Sequence, residues 1–205
     1  MRVGRIVVFG VLLSVCPTIS LSAQVSFHFS LGARYSSTLV HDSIVNPIDV
    51  RPTIAPTVLL TVRDKLHGPW SADATLDVSP SGLRRHEGGG SFDAGSCTAI
   101  ALTVGLRRAL ASRVSGRVAF GGLTYAAQRS GVFRQGNGGV LPAVSVSAAY
   151  APSFGARRGL EIDARYDLHR FITPALRGAT FTSPRPVHRI AITVSARILG
   201  GGGQP

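Results

Sequence analysis

The 205 residues suffice for one domain of ordinary size, and no linker-like stretch divides them. Only 16% of the residues are charged, against roughly 25% in typical soluble domains, although the formal net charge is +12. This composition argues against an ordinary water-exposed surface. Beyond the N-terminus no apolar run approaches the roughly 18 residues of a membrane-spanning helix, so a helical membrane protein is excluded.

The N-terminus has the three parts of a secretory signal peptide. Arg2 and Arg5 precede the apolar stretch from Ile6 to Val15, and the small residues Ser20, Ser22 and Ala23 follow. We predict a cleaved signal peptide over residues 1–23, a β-barrel domain over 24–199 and a Gly-rich tail over 200–205. Because an exported chain does not meet nucleic acid, we expect no nucleic-acid partner despite the positive charge.

Apolar and polar residues alternate strictly in most of the mature chain, which is the period of a β-strand. The second segment contains Pro52 and Pro56, which weaken it. The fifth loses parity near Gly121 and Gly122, where we expect a β-bulge. Eight strands are predicted, and a bacterial barrel requires an even number: Val25 to Ser36, Val50 to Arg63, Trp70 to Ser79, Ala99 to Arg107, Val114 to Ala127, Val144 to Tyr150, Leu160 to His169 and Ile190 to Ile198.

The connections alternate between long and short. The long ones are 37–49, 80–96, 128–139 and 173–186, and the short ones are 64–69, 109–113 and 152–159. Outer-membrane barrels combine long extracellular loops with short periplasmic turns in this way. The predicted fold is therefore an all-β, eight-stranded antiparallel up-and-down transmembrane barrel with both ends of the barrel domain on the periplasmic side.

The bulkier face of the strands is the apolar one, and the polar face carries many small residues. A narrow eight-stranded interior needs small residues, so we place the apolar face outside, against lipid. The reverse orientation would give a soluble periplasmic lipocalin-like barrel, which stays open as an alternative. Aromatic residues near the strand ends fit interfacial girdles: Tyr35, Tyr125 and Phe171 at the long-loop end, and Trp70 and Tyr150 at the short-turn end.

The inward face collects charges of both signs. In a lumen too narrow for bulk water these charges should pair, since isolated buried ions are costly. We expect a structural charge network that fills the lumen, formed by Arg34, Arg51, Asp73, Asp77, Arg107, Arg117, Glu161, Asp163, Arg165, Asp167 and Arg197. The alternative interpretation is a narrow passive channel of the porin kind.

No motif indicates a cofactor or a metal site, and we expect none. His28 and Ser30 resemble the His and Ser pair of outer-membrane lipid A deacylases, but this pair lies on the first strand and no orienting acid is identifiable. A barrel-embedded lipid-modifying hydrolase is therefore an alternative, and we expect a protein that is not an enzyme.

Taken as a whole, residues 1–199 resemble the small outer-membrane barrels of the OmpA/OmpX type in leader, strand number and loop pattern. The resemblance implies a location in the bacterial outer membrane, contact with lipid and lipopolysaccharide, insertion by the barrel-assembly machinery, and a monomer. The chain departs from that group at its end, because Arg197, Ile198 and Leu199 stand where an aromatic residue is common. We expect a structural or surface-interaction role.

Overall fold

The computed structural model describes residues 25–42, 48–128, 131–153, 159–179, 181 and 183–200. The predicted signal peptide and residues 201–205 of the predicted tail lie outside the described residues. The described part contains ten strands, a 3-10 turn at Gly131–Phe133 and the short helix α1 at Pro174–Gly178. The strands are β1 (Ser26–Ser36), β2 (Val40–Asp42), β3 (Ile48–Pro52), β4 (Ala55–Lys65), β5 (Trp70–Glu87), β6 (Gly90–Ala111), β7 (Val114–Ala127), β8 (Leu141–Tyr150), β9 (Glu161–Phe171) and β10 (Arg185–Gly200).

Eight of these strands close into a ring in which every pair is antiparallel. The order is β1, β4, β5, β6, β7, β8, β9 and β10, and β10 pairs back with β1. The predicted up-and-down barrel is therefore confirmed. Closure leaves no unpaired edge in the ring. No helix within the described residues is long and apolar enough to cross a bilayer.

The three longest connections lie at one end of the barrel, which we call the long-loop end. The described parts of connections 37–54, 128–140 and 172–184 lie there together with the two-residue turn 88–89, and those of 66–69, 112–113 and 151–160 lie at the opposite, short-turn end. Both ends of the ring, Ser26 on β1 and Gly200 on β10, lie at the short-turn end.

Two long connections differ from their predicted form. The segment predicted as a loop at 80–96 continues strands β5 and β6, which meet in a two-residue turn at Gly88 and Gly89. Both glycines have positive φ, +55° and +80°, as a turn that matches the strand twist requires. The hairpin therefore projects beyond the barrel ring, and β2 and β3 pair onto its β5 side.

The segment predicted as one strand from Val50 to Arg63 is broken in two. β3 ends at Pro52 and β4 begins at Ala55, and Thr53 bonds to Gly82 through its backbone N–H at 2.8 Å. Proline lacks the N–H that a continuous ladder needs, so the chain leaves the ring here. As a consequence, β3 does not belong to the barrel. Together with β2 and the outer parts of β5 and β6 it forms a sheet beyond the ring, which we call the projecting sheet.

The bulge expected at Gly121 and Gly122 is absent from β7. These residues pair with Thr103 and Leu102 without a register shift. Leu123 and Tyr125 keep the inward parity of Arg117 and are 1% exposed. The inward-facing residues of β7 change from polar to apolar after Gly122, because the lumen is apolar near the long-loop end. The alternation of polar and apolar residues therefore shifts without a bulge in the strand.

The exterior of the barrel is apolar, as predicted. Leu102, Phe120 and Ile192 are 56%, 67% and 61% exposed, and the polar residues that alternate with them face inward. This orientation is the reverse of a soluble lipocalin-like barrel. Tyr35, Trp70 and Tyr150 point outward near the strand ends, whereas Tyr125 and Phe171 do not belong to a girdle because both are buried inside.

Candidate functional site

The lumen is filled by ion pairs in two layers and by an apolar layer above them. The lower tier, nearer the short-turn end, consists of Arg63, Arg107, Arg117, Asp73, Glu161 and Asp163. The upper tier consists of Arg34, Arg165, Arg189, Asp77 and Asp167. The apolar layer, which we call the roof, closes the long-loop end with Leu39, Leu83, Leu123, Phe133, Phe171, Leu176 and Val187.

In the lower tier each carboxylate meets at least one guanidinium. Arg117 lies 2.6 Å from Asp73, and Arg63 binds Glu161 through two hydrogen bonds of 2.9 and 3.1 Å. Arg107 lies between them, 3.8 Å from Asp73 and 3.4 Å from Asp163. Except for Arg107 and Asp73, which lie on the adjacent strands β6 and β5, the pairs link strands that are not neighbours in the ring, so they reach across the lumen and do not merely line it.

In the upper tier Asp77 and Asp167 are the acceptors. Arg34 pairs with Asp77 and lies 3.6 Å from Asp167, while Arg165 donates to Asp167 at 2.6 Å. Asp77 also accepts from Thr57 at 3.0 Å. The fifth member, Arg189, is 1% exposed and meets no acceptor among the residues that the structure describes.

The roof is built around buried aromatic rings. Phe171 packs edge-on against Tyr125 and Phe133, with ring centroids 5.3 and 5.8 Å apart. The Tyr125 hydroxyl and His169 Nε2 are 2.9 Å apart, which satisfies the one polar atom of that ring system. The roof therefore excludes water above the upper tier.

Little free space remains between the tiers. A cavity of about 560 Å³ opens at the short-turn end, bordered by Arg63, Arg107, Glu161 and Arg197. Farther in, the cavity bordered by Arg117, Asp163 and Arg165 measures about 30 Å³. That volume holds one or two water molecules and no continuous water column.

Most of the residues expected in the lumen network meet there, but two do not. Arg51 lies on the projecting sheet and is exposed, because the break after Pro52 takes β3 out of the ring. Arg197 lies exposed at the short-turn mouth of the lumen. Two network members were not named from the sequence, Arg63 and Arg189. Arg63 lies two residues after the inward-facing Thr61 on β4, and Arg189 lies two residues before the inward-facing Ala191 on β10. This spacing of two residues is the sequence signal that could have identified both.

His28 and Ser30 both face the lumen, but they are not hydrogen-bonded to each other. The partner of His28 Nε2 is the Ser26 hydroxyl, at 3.1 Å. His28 Nδ1 meets no acceptor in the described part of the chain. A hydrolase triad needs an acidic group that orients the histidine through its second ring nitrogen, and no described residue is hydrogen-bonded to His28 Nδ1.

The projecting sheet at the long-loop end has a polar face with an unusual pair. Arg51 on β3 and Arg84 on β5 are direct register partners, and both are exposed. Arg51 Nε donates to His86 Nε2 at 2.9 Å, so its charge is not neutralised by that contact. Further exposed arginines at this end of the barrel are Arg134, Arg177 and Arg185.

The opposite face of the same sheet is apolar and borders a cavity. The cavity measures about 800 Å³ and contains Val50, Leu83, Phe92, Val132 and Phe181 in its wall, with Arg85 and Glu87 at its edge. Arg85 and Glu87 form an ion pair with each other. The sheet therefore separates a polar face, which carries Arg51 and Arg84 together with Asp49 and Asp93, from an apolar one.

No protein-family model and no curated protein sequence matches the chain. Solved structures of small outer-membrane barrels do match its fold. Ail, the attachment invasion locus protein of Yersinia pestis, was solved in complex with the heparin analogue sucrose octasulfate; it is 14% identical, with 85% of this chain and 99% of Ail covered and a TM-score of 0.50. Ail in a phospholipid bilayer nanodisc is 15% identical, with coverages of 84% and 99% and a TM-score of 0.51.

The outer membrane protein AlkL, solved in DMPC lipid bilayers, is also similar. It is 12% identical, with 89% of this chain and 93% of AlkL covered and a TM-score of 0.52. At these identities the likeness concerns the fold, which is that of small outer-membrane β-barrels.

Proposed function

We propose that this chain is a non-conducting outer-membrane barrel that binds anionic saccharides at the cell surface through its long-loop end, and that it is not an enzyme. The observation that carries the proposal is the exposed pair of register partners Arg51 and Arg84. The barrel holds this pair at its long-loop end. Because the lumen is filled, binding at that surface is a better-supported function than transport through the barrel.

The apolar exterior supports insertion into lipid. Leucine, isoleucine, valine and phenylalanine side chains between 40% and 67% exposed surround the ring, a far larger apolar surface than water-soluble monomers present. Trp70, which lies near the short-turn end, has the Arg108 guanidinium 5.3 Å from its ring centre. This combination suits a membrane interface, where an aromatic ring and a cation contact headgroups.

The filled lumen supports a barrel that does not conduct. Ions would have to pass the lower tier, the upper tier and the roof, and each is closely packed among the described residues. Removing one partner of a buried pair is costly, so the pairs do not open readily. A narrow passive channel is therefore the weaker interpretation.

The arginine pair supports an anionic ligand. Like charges directly opposite each other on a sheet are destabilising. Asp93, the register partner of Arg84 on β6, offsets only one of the two positive charges of Arg51 and Arg84, and a bound anion would relieve the remaining repulsion. Guanidinium groups bind sulfate and phosphate oxygens in a bidentate manner. The ligand of Ail, sucrose octasulfate, is a saccharide of this chemistry. Sulfated polysaccharides and the phosphorylated sugars of lipopolysaccharide share it.

The test is binding of sucrose octasulfate to the protein in lipid nanodiscs by titration calorimetry. The Arg51→Ala/Arg84→Ala variant should bind about tenfold more weakly or worse, since it loses charge-assisted hydrogen bonds. Arg113→Ala is the matched control, because Arg113 is an exposed arginine in the turn at the opposite end. Sucrose without sulfate groups should not bind.

Equal binding by the wild type and the double variant would contradict the proposal. Binding that persists in the double variant but falls in the Arg113→Ala control would place the saccharide site at the wrong end. Bilayer conductance of the same preparations tests the second part of the proposal, and stable single-channel currents from the wild type would contradict a closed lumen.

The apolar cavity favours a second candidate, a small amphipathic ligand held between β3, β6 and Val132. Its wall is mainly apolar and its edge carries Arg85 and Glu87, an arrangement common in small-molecule sites. A Phe92→Asp variant should lose binding of an environment-sensitive apolar fluorophore, while Leu110→Asp at the short-turn end should retain it.

A further inference from the structure

Arg189 is the most deeply buried charge that lacks a partner among the described residues. It is 1% exposed, and its three nitrogens Nε, Nη1 and Nη2 meet no hydrogen-bond acceptor there. A guanidinium carries five N–H donors and no acceptor. A buried and unpaired ion is costly, and the sequence nevertheless places one here.

The charges of the two tiers locate the imbalance. In the lower tier Arg63, Arg107 and Arg117 face Asp73, Glu161 and Asp163, so its described charges balance. In the upper tier Arg34, Arg165 and Arg189 face only Asp77 and Asp167. One positive charge is therefore in excess, and it lies in the upper tier.

The nearest carboxylate is already engaged. Asp167 is the register partner of Arg189 across β9 and β10, but one of its oxygens accepts from Arg165 at 2.6 Å and the other lies 3.6 Å from Arg34. On the other side, the partner of Arg189 on β1 is Ser36, which carries no charge. No further carboxylate of the described lumen is left over to neutralise it.

Arg34 is the second buried guanidinium of the upper tier whose N–H donors are unused. It is 1% exposed and lies on β1 opposite Ala191, which is two residues from Arg189 on the same inward face of β10. Its ion pairs with Asp77 and Asp167 meet the distance for a salt bridge, yet none of its N–H groups has the geometry of a hydrogen bond. Two neighbouring guanidiniums thus present unused donors to one region of the lumen.

We propose that a small monovalent anion, of the size of chloride, binds in the lumen between Arg189 and Arg34, directly beneath the roof. The anion supplies the missing negative charge and accepts hydrogen bonds from both guanidiniums. Its neighbours on the inward face of β10 are Val187 and Ala191, which are 0% and 1% exposed, so the position is too enclosed for a saccharide. This site is separate from the exposed Arg51 and Arg84 pair.

The site is enclosed on both sides, so the anion would bind only to the folded protein. The roof residue Val187 precedes Arg189 by two positions on the same inward face, so the apolar layer seals the site from the long-loop end. The paired tiers seal it from the short-turn end. A ligand that binds the folded state and not the unfolded chain stabilises the folded state.

The test is equilibrium unfolding in sodium chloride and in sodium gluconate at equal ionic strength. Chloride should raise the ratio of folded to unfolded protein, by about 100-fold at roughly 100 times its dissociation constant. Arg189→Met should lose this dependence. Arg185→Met is the matched control, because Arg185 lies on the same strand but is exposed, and it should keep the dependence.

A second measurement needs no variant. Crystals grown in sodium bromide should show anomalous scattering from bromide between Arg189 and Arg34. A wild type whose stability is the same in both salts would overturn the proposal, as would a chloride dependence that survives in Arg189→Met. Crystals with only water between the two guanidiniums would also overturn it.

Discussion

Arg117 on β7 pairs with Asp73 on β5 across the intervening strand β6, with 2.6 Å between guanidinium and carboxylate. Both side chains are almost completely buried, and Arg117 also donates to Thr75 and Thr103 at 3.3 Å. A pair between strands that are not hydrogen-bonded neighbours constrains the curvature of the sheet. It therefore helps to define the closed barrel in addition to filling it.

Asp73→Ala should destabilise the barrel by about 3–5 kcal/mol, because it leaves the buried Arg117 without its carboxylate. The measurement is urea unfolding in lipid vesicles, followed by the change in gel mobility between folded and unfolded forms. The control is the double variant Asp73→Leu/Arg117→Met, which removes both charges and should recover most of the loss. If Asp73→Ala were as stable as the wild type, the pair would not stabilise the fold.

Arginine on the apolar exterior should destabilise the inserted protein according to depth. Leu102→Arg and Ile192→Arg, in the middle of β6 and β10, should each cost about 2–4 kcal/mol, since the charge faces hydrocarbon. Leu110→Arg is the matched control, because Leu110 is exposed beside the turn at 112–113, where the cost should be about 0–1 kcal/mol. Equal stability of all three variants in vesicles would argue against insertion.

Gly121→Ala should destabilise the barrel by about 1–3 kcal/mol through overpacking. A Cβ atom at this position would contact the backbone carbonyl oxygen of Leu102 and lie 2.7 Å from Cα of Thr103, and neither can move without shifting β6. Gly82→Ala is the control, because its Cβ would find Thr53 Oγ1 at 3.5 Å, an ordinary contact. Thermal unfolding that gives the same midpoint for both variants would contradict this explanation of Gly121.

Phe171→Ala should weaken the roof without opening a pore. The loss of a buried ring that packs on Tyr125 and Phe133 should cost about 3–5 kcal/mol, measured by urea unfolding. Planar-bilayer recordings of the same variant should show no stable current, because both ion-paired tiers remain. A sustained current would mean that the roof alone keeps the lumen closed.

The alternation of the sequence determined the fold class, most of the strands and which face is apolar. A β-strand turns successive side chains to opposite faces, so the period of two in β1, β8 and β9 carries this information locally. The inward faces of Arg34, Arg117 and Asp167 follow from the same parity. The placement of the longest connections at one end follows from their alternation along the chain, because every second connection of an antiparallel barrel lies at the same end.

Only the tertiary structure decided the height of each residue along the barrel and its partner. Parity states that a side chain faces inward, but it does not distinguish an ionic layer from an apolar roof, so Tyr125 and Phe171 were placed in an aromatic girdle. It also cannot show that the chain leaves the ring after Pro52, which removes Arg51 from the lumen and leaves Arg63 in it. Ion partners such as Arg117 and Asp73 come from strands separated by a third, and the stagger of a closed sheet sets which inward residues meet. The unpaired state of Arg189 depends on that stagger, because whether a charge is balanced is a property of the assembled lumen and not of any one strand.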